Sequence, residues 1–165
     1  MKKLEVFFDF NCPYCLKGHM QLMEIMPKHP GLEIVWRPCE IRVLKKAQGR
    51  TDLLQQAMHF AADNGVDLWK FHELAYDVVF SGKTTNTGDV DSVADYMKDL
   101  LDAADLRQAL VSGKYAKMVD ECNDFAFVRV GVHVVPTYRA DDGCLQDRQE
   151  FFNMDPSDTG YGGVK

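Results

Sequence analysis

The sequence lacks several features that would each assign it to a class of protein. It has no excess of positive charge, because 25 acidic residues outnumber 19 lysines and arginines and leave a formal net charge of −6. A basic field that binds a phosphate backbone or an anionic membrane is therefore missing. No run approaches the roughly 20 apolar residues of a transmembrane helix. We therefore expect neither nucleic acid nor a membrane as a partner.

The N-terminus also lacks the features of a secretory signal. Two lysines lead into a short apolar stretch that already contains Glu5 and Asp9, and no small-residue cleavage site follows. We therefore expect a cytoplasmic protein, and in that compartment structural disulfides are rare. The five cysteines leave one unpaired, which argues against a full disulfide framework. For a close pair of cysteines, a catalytic or metal-binding role is therefore favoured over a structural disulfide.

What the sequence does contain is a pattern of strands and helices. At 165 residues, 46% of them hydrophobic, the chain is long enough for one core and short for two domains. Residues 4–10 are an apolar run typical of a buried strand, and Cys12-Pro13 then begins a helical pattern. Residues 32–36 predict a second strand, parallel to the first. The apolar positions of the intervening helix are Leu16, Met20, Met23 and Met26.

The spacing of apolar residues differs between the middle and the end of the chain. Residues 51–113 are helical in period, with breaks at 65, 82–88 and 113, and a last long helix is predicted from Tyr115 to Gly131. Residues 132–135 and 137–140 predict strands that Pro136 interrupts, at a sheet edge or an unusual bend, and Asp142-Gly143 predicts a hairpin turn. The predicted fold class is α/β, with a mixed central sheet made of an N-terminal βαβ unit and a C-terminal β-hairpin. Residues 1–50 and 114–152 would form this domain, 51–113 a helical insertion and 153–165 an irregular tail.

Cys12 and Cys15 carry the chemistry that the sequence predicts. On a strand-to-helix turn, the first sulfur lies at the helix N-terminus, where unpaired N–H groups and the helix dipole stabilise a thiolate. Cys15, nearly one turn later and more buried, would resolve a mixed disulfide formed at Cys12. Zinc is the alternative, but it normally needs four ligands, and neither a second CxxC nor suitably spaced histidines are present. We therefore expect redox chemistry and no metal.

Several stretches resemble one family. Residues 7–15, FFDFNCPYC, resemble the active-site opening of the DsbA-like thioredoxin-fold oxidoreductases, and residues 134–137, VVPT, look like their cis-proline loop. Residues 35–41 and 109–115 are similar to the FrnE branch and its relatives, the 2-hydroxychromene-2-carboxylate isomerases and kappa-class glutathione transferases. The resemblance implies a thioredoxin fold with a helical insertion. It also implies that Pro136 is cis and lies against the cysteine pair, where the backbone of Val135 binds an extended substrate segment.

Other residues near the motif carry weaker predictions. Pro13 and Tyr14 lie between the cysteines and would tune the redox potential. Asp9 matches an acidic position of the FrnE branch and either tunes the thiols or is a hydrogen-bonded strand-end carboxylate. Cys39 follows the end of the second parallel strand, so it is expected near Cys12, either as a third redox thiol or as a buried, unreactive cysteine.

Four further features are given no chemical role. Cys122 lies on an apolar stripe and is interpreted as core, and Cys144 follows the hairpin turn and is interpreted as exposed. His19 is interpreted as a solvated helix position. The methionines are interpreted as core residues at helical spacing.

Since the family normally has a final helix that is missing here, Phe151 and Phe152 are predicted to cover a sheet face or to form a dimer contact.

Three functions are compatible with the sequence. The first is a dithiol–disulfide oxidoreductase without a resident cofactor, acting on thiols or disulfides of proteins or small molecules. The second is a glutathione-dependent isomerase or transferase, with glutathione as co-substrate, suggested by Trp36-Arg37-Pro38; that branch usually keeps a serine or a single catalytic residue where this chain has a cysteine pair. The third is a non-catalytic peptide-binding module. The sequence leaves open the direction of electron flow and whether the protein is a monomer or a homodimer.

Overall fold

The computed structural model describes residues 2–41, 52–81 and 86–147. Its strands are β1 (Lys2–Phe8), β2 (Leu32–Pro38), β3 (Thr137–Ala140) and β4 (Leu145–Asp147). Its helices are α1 (Pro13–Ile25), which a short 3-10 turn (Met26–Lys28) extends, α2 (Asp52–Asp63), α3 (Leu68–Phe80), α4 (Val90–Tyr96), α5 (Ala103–Ser112) and α6 (Ala116–Asp124), which a π-helical segment (Phe125–Val130) continues. No helix within these described ranges is long and apolar enough to cross a membrane.

The four strands form one mixed sheet in the order β2-β1-β3-β4. β1 pairs in parallel with β2 and antiparallel with β3, and β4 pairs antiparallel with β3. β1 therefore lies inside the sheet, which explains why its C-terminal half is a nearly continuous apolar run with Phe7 and Phe8 fully buried. This arrangement, with α1 crossing between the parallel strands, confirms the α/β thioredoxin fold that the sequence predicts.

Among the described residues between β2 and α6, the chain forms the helices α2 to α5. The carboxylates of Asp67, Asp89 and Asp102 each accept an N–H at the start of a helix, so three of the helices begin at an acidic N-cap. Gly65 and Gly113 adopt positive φ in the connections, where the sequence predicts breaks. A helical insertion in the thioredoxin fold is therefore confirmed.

The region around Pro136 differs from its prediction. The last helix does end at Gly131, which adopts a φ of 83°. Residues 132–135, however, are not a strand, and β3 begins only at Thr137. Proline has no N–H to donate, so ladder pairing starts after it. Thr137 closes the turn, since its hydroxyl donates to the Val134 carbonyl at 2.7 Å.

The buried face of α1 also differs from the predicted one. Met20 and Met23 are 53% and 41% exposed, so interpreting them as core residues was wrong. The helix instead buries the neighbouring face, made of Cys15, Gly18, His19 and Leu22. The reason is a close approach at Gly18, where a Cβ atom would lie 2.5 Å from the Tyr138 hydroxyl oxygen and 3.3 Å from Pro136 Cγ. Only glycine allows α1 to pack this closely on β3.

The predictions for Phe151, Phe152 and the 153–165 tail lie outside the described residues.

We predict that Gly18→Ala destabilises the protein by about 1–3 kcal/mol, because the added methyl group overpacks the contact with Tyr138 and Pro136. Urea unfolding measures this loss. Gly31→Ala is the matched control, since a Cβ at Gly31 meets no atom within 4 Å. Equal stability of Gly18→Ala and the parent protein would show that α1 does not depend on this contact.

Candidate active site

Cys12 lies at the junction of β1 and α1. It is the N-cap residue of α1, with extended backbone angles, and Pro13 takes the first helical position. The N–H groups of Cys15 and Leu16 donate to the Cys12 carbonyl at 3.0 and 3.2 Å, so the helix starts at this residue. The Cys12 sulfur therefore faces the first turn of α1, where N–H groups lack partners within the helix. Pro13 and Tyr14 form that turn and are half-buried.

The two thiols have opposite electrostatic environments. The pKa of Cys12 is lowered, first by a hydrogen bond from the Cys15 thiol and then by the backbone N–H groups of Cys15 and Tyr14, although burial and the charge of Asp9 oppose the shift. The pKa of Cys15 is raised well above its usual value, first by burial and then by its interaction with Cys12. When the pair loses a proton, the negative charge is therefore favoured on Cys12 and the remaining proton on Cys15.

Residues distant in the chain lie beside the pair. The Cys12 Sγ atom is 3.5 Å from the carbonyl oxygen of Val135, and the peptide bond between Val135 and Pro136 is cis. Val135 is buried, at 2% exposed. The segment before β3 therefore lies next to the more exposed of the two sulfurs.

Asp9 lies behind the pair and is 1% exposed. Its carboxylate accepts the N–H of Asn11 at 3.0 Å and that of Ile41 at 2.9 Å, and its own N–H donates to Cys15 Sγ at 3.5 Å. The carboxylate thus links the end of β1 to the segment after β2. Its charge raises the pKa of both Cys12 and Cys15. The two accepted N–H bonds support the predicted role of Asp9 as a strand-end acceptor. The effect of its charge on the two thiols supports the predicted tuning role.

Cys39 lies in the same neighbourhood, as its position after β2 predicts. Its N–H donates to the Phe8 carbonyl at 2.8 Å, and its side chain is fully buried. Burial is the main cause that raises its pKa well above the usual value, and the charge of Asp9 adds to the shift. A neutral, enclosed thiol is a weak nucleophile, so the surroundings of Cys39 favour the unreactive reading.

The other two cysteines lie away from the pair. Cys144 is exposed, as predicted. Cys122 is half-buried, so its interpretation as a core residue was wrong; its Sγ lies 3.8 Å from His59 Nε2 on α2. Among the residues that the structure describes, no group of three or more His, Cys, Asp or Glu side chains is placed to hold a metal ion.

Two buried histidines are the feature that the sequence analysis missed. His19 is 4% exposed, so its interpretation as a solvated position was wrong, and His72 on α3 is fully buried. Their rings stack at 5.5 Å between centroids, and neither ring has a hydrogen-bond partner within the described residues. The surrounding rings belong to Phe8, Phe10, Trp36, Trp69 and Tyr76. No local pattern marks His19, because its burial comes from α3, more than 40 residues later in the chain.

The sequence and the fold are similar to those of known proteins. The chain matches the model of the DsbA-like thioredoxin domain over residues 3–158. A probable DsbA oxidoreductase from Streptomyces coelicolor is 17% identical, with a TM-score of 0.74 over 89% of this chain and 83% of that one. DsbA from Chlamydia trachomatis is 15% identical, with a TM-score of 0.67 over 92% and 82%. A 2-hydroxychromene-2-carboxylate isomerase is 14% identical, with a TM-score of 0.66 over 92% and 91%. No curated protein matches the sequence.

Burial of His19 predicts a loss of stability in acid. Burial lowers its pKa from 6.5 to about 4, so the unfolded chain binds a proton between these pH values and the folded protein does not. The free energy of unfolding therefore falls as the pH drops from 6.5 towards 4, by about 2–3 kcal/mol from this residue. Between pH 7.5 and 4.5, the free energy of unfolding of His19→Phe should fall by about 2–3 kcal/mol less than that of the parent protein. At pH 7.5 the variant should be at least as stable as the parent protein, because it removes two unpartnered nitrogens.

Urea unfolding at the two pH values measures this difference. The control is His133→Gln, at an exposed histidine, which should keep the parent protein's pH dependence. The account of this buried cluster would be wrong if His19→Phe and the parent protein lost equal stability in acid.

Proposed function

Because the chain belongs to the family of DsbA-like thioredoxin domains, we propose that it is a thiol–disulfide oxidoreductase whose redox centre is the Cys12–Cys15 pair. The observation that carries the proposal is the placement of the pair, with Cys12 at the N-cap of α1, its sulfur 3.5 Å from the Val135 carbonyl oxygen and Cys15 buried one turn later. The lowered pKa of Cys12 and the raised pKa of Cys15 agree with it. Such a pair provides one nucleophile that is ready to attack and one thiol held in reserve.

The reaction begins with attack of the Cys12 thiolate on one sulfur of a substrate disulfide. The substrate S–S bond breaks, one substrate thiolate leaves, and a mixed disulfide joins the substrate to Cys12. Cys15 then loses its proton and attacks the Cys12 sulfur, which forms the Cys12–Cys15 disulfide and releases the second substrate thiol. The substrate gains two electrons and the pair loses two. The same steps in reverse oxidise a substrate dithiol.

Each neighbouring residue has a place in this cycle. Val135 and Pro136 lie beside the Cys12 sulfur and would position an extended substrate segment through the backbone of Val135. Asp9 opposes the build-up of negative charge on either sulfur, which limits how far the pKa of Cys12 falls. Pro13 takes the first helical position and the backbone N–H of Tyr14 faces the Cys12 sulfur, and both residues tune the potential. No resident cofactor takes part in any step.

The direction of transfer depends on the redox potential of the pair and on its compartment. Thioredoxin-fold pairs have potentials from about −270 to about −120 mV, whereas cytosolic glutathione is at about −220 mV or lower. We expect a reducing cytoplasm, where a pair whose potential lies above that of glutathione rests as the dithiol. The net flow is then from the pair to a disulfide substrate, either a protein or a small molecule.

A glutathione-dependent isomerase or transferase is the second candidate. The structural likeness to a 2-hydroxychromene-2-carboxylate isomerase favours it, since nearly the whole of both chains is covered. Two observations weigh against it. Trp36 packs on His72 at 4.2 Å between centroids, and Arg37 Nε donates to Glu5 Oε1 at 2.7 Å, so both residues have partners inside the protein. Cys15 would also divert a thiol bound at Cys12 into disulfide exchange.

Serine substitutions test the proposed redox centre. Cys12→Ser should lower the rate of disulfide reduction by at least about 10³-fold, because it removes the nucleophile. Cys15→Ser should instead accumulate a covalent complex between Cys12 and the substrate, visible by mass spectrometry and cleaved by dithiothreitol. Cys144→Ser, at an exposed cysteine outside the site, is the control and should keep the full rate. Full activity of Cys12→Ser would refute the proposal.

A further inference from the structure

Glu40 carries a buried carboxylate that the proposed reaction does not use. It follows β2 and is 2% exposed, and Asn123 on α6, itself 7% exposed, contacts it twice. The Asn123 Oδ1 atom accepts the Glu40 N–H at 2.7 Å, and the Asn123 Nδ2 atom donates to Glu40 Oε2 at 3.2 Å. One amide side chain therefore holds both the backbone and the carboxylate of Glu40.

The segment that Asn123 holds also contacts the surroundings of the redox pair. Three successive N–H groups of this segment donate to three different parts of the fold, at 2.8, 2.7 and 2.9 Å: Cys39 to the Phe8 carbonyl, Glu40 to Asn123 Oδ1 and Ile41 to Asp9 Oδ2. The peptide groups of residues 39–41 are planar and joined in sequence, so the direction of each N–H depends on its neighbours. The bond to Asn123 lies between the other two and therefore fixes where the Ile41 N–H points.

Asp9 depends on the Ile41 N–H because its carboxylate is almost fully enclosed. It is 1% exposed and accepts two backbone N–H groups, from Asn11 at 3.0 Å and from Ile41. A buried carboxylate keeps its charge only while hydrogen bonds or opposite charges replace the lost water. Loss of the Ile41 donor would favour the protonated form of Asp9 or let the carboxylate turn away towards water. In either case, less negative charge remains beside the sulfurs.

The charge of Asp9 acts directly on the redox pair. Its own N–H donates to Cys15 Sγ at 3.5 Å, and its negative charge raises the pKa of both Cys12 and Cys15. Three further titratable groups interact with the pair and are neutral near neutral pH, because burial raises the pKa of each: Cys39 after β2, Tyr76 on α3 and Tyr138 on β3. Among these four groups, Asp9 is the one that carries a charge.

We propose that Asn123 is a positioning residue for the redox pair, which holds residues 39–41 so that the Ile41 N–H stays on the Asp9 carboxylate. α6 then influences the charge beside Cys12 through Glu40, Ile41 and Asp9. Because this charge opposes formation of the Cys12 thiolate, it keeps the reduced pair less stable and its potential more negative than the helix N-terminus alone would make it. The effect on disulfide exchange rests on the proposed redox function, whereas the effect on the Cys12 thiolate does not.

The pH profile of Cys12 measures this effect without a substrate. The rate of Cys12 alkylation by iodoacetamide is followed against pH in the reduced protein, and mass spectrometry identifies the alkylated residue. Asn123→Ala should move the profile to lower pH, with a rate about threefold higher on its acidic limb, and Asp9→Asn should raise that rate about tenfold. In the Asp9→Asn background, Asn123→Ala should cause no further change, because the charge through which it acts is already gone.

Val119→Ala is the control for a loss of packing in α6. Val119 is 3% exposed and lies one turn before Asn123 on the same helix. Its truncation should make the protein unfold at a lower urea concentration and leave the pH profile of Cys12 as in the parent protein. If Asn123→Ala does not fold, Asn123→Ser takes its place. The serine hydroxyl is one bond too short to accept the Glu40 N–H, so the same shift to lower pH is expected.

A pH profile that the Asn123 variant leaves unchanged, or shifts equally with and without Asp9→Asn, overturns the proposal. So does an equal shift in Val119→Ala, because general loosening of α6 would then be the cause. In a given glutathione redox buffer, Asn123→Ala should also be less oxidised than the parent protein, since a more stable thiolate favours the reduced pair. A shifted Cys12 profile in a protein that reduces no disulfide supports the role of Asn123 and refutes the redox function.

Discussion

The interaction between the Cys12 and Cys15 sulfurs is the one on which the proposed chemistry depends. It is the largest cause of the lowered pKa of Cys12, and it keeps the proton of the pair on the more buried sulfur. The helix N-terminus contributes through the N–H groups of Cys15 and Tyr14, which rank behind it. The pair is therefore more than two thiols at a favourable helix position, because each sulfur sets the state of the other.

The packing of α1 determines what surrounds this pair. On one side of the helix, Gly18 lets β3 approach closely, which brings Pro136 and Val135 to the Cys12 sulfur. On the side towards α3, His19 is enclosed by rings of the helical insertion at a cost in stability, since its nitrogens lack partners. One helix thus carries both the redox pair and the contact that positions the cis-proline segment.

Much of this arrangement could be predicted from the sequence. The CxxC position, the parallel strands around α1 and the hairpin at Gly143 follow from short-range periodicity and turn chemistry, which act within a few residues. What could not be predicted depends on contacts between distant segments. The exposure of Met20 and the burial of His19 are both decided by how α1 meets β3 and α3, and an apolar stripe shows only that a face is apolar, not which neighbour covers it. Gly18 was the available signal, because a glycine inside a helix often marks a close approach.

The most direct test of the central claim is the equilibrium of the intact protein with glutathione redox buffers, read by alkylation and mass spectrometry of the peptide that contains Cys12 and Cys15. The account predicts that these two thiols, and no others, are lost and regained together in a reversible two-electron step, with a midpoint between about −270 and −120 mV. A protein in which both thiols stay reduced throughout this range, or in which Cys12 pairs with a different cysteine, would contradict it.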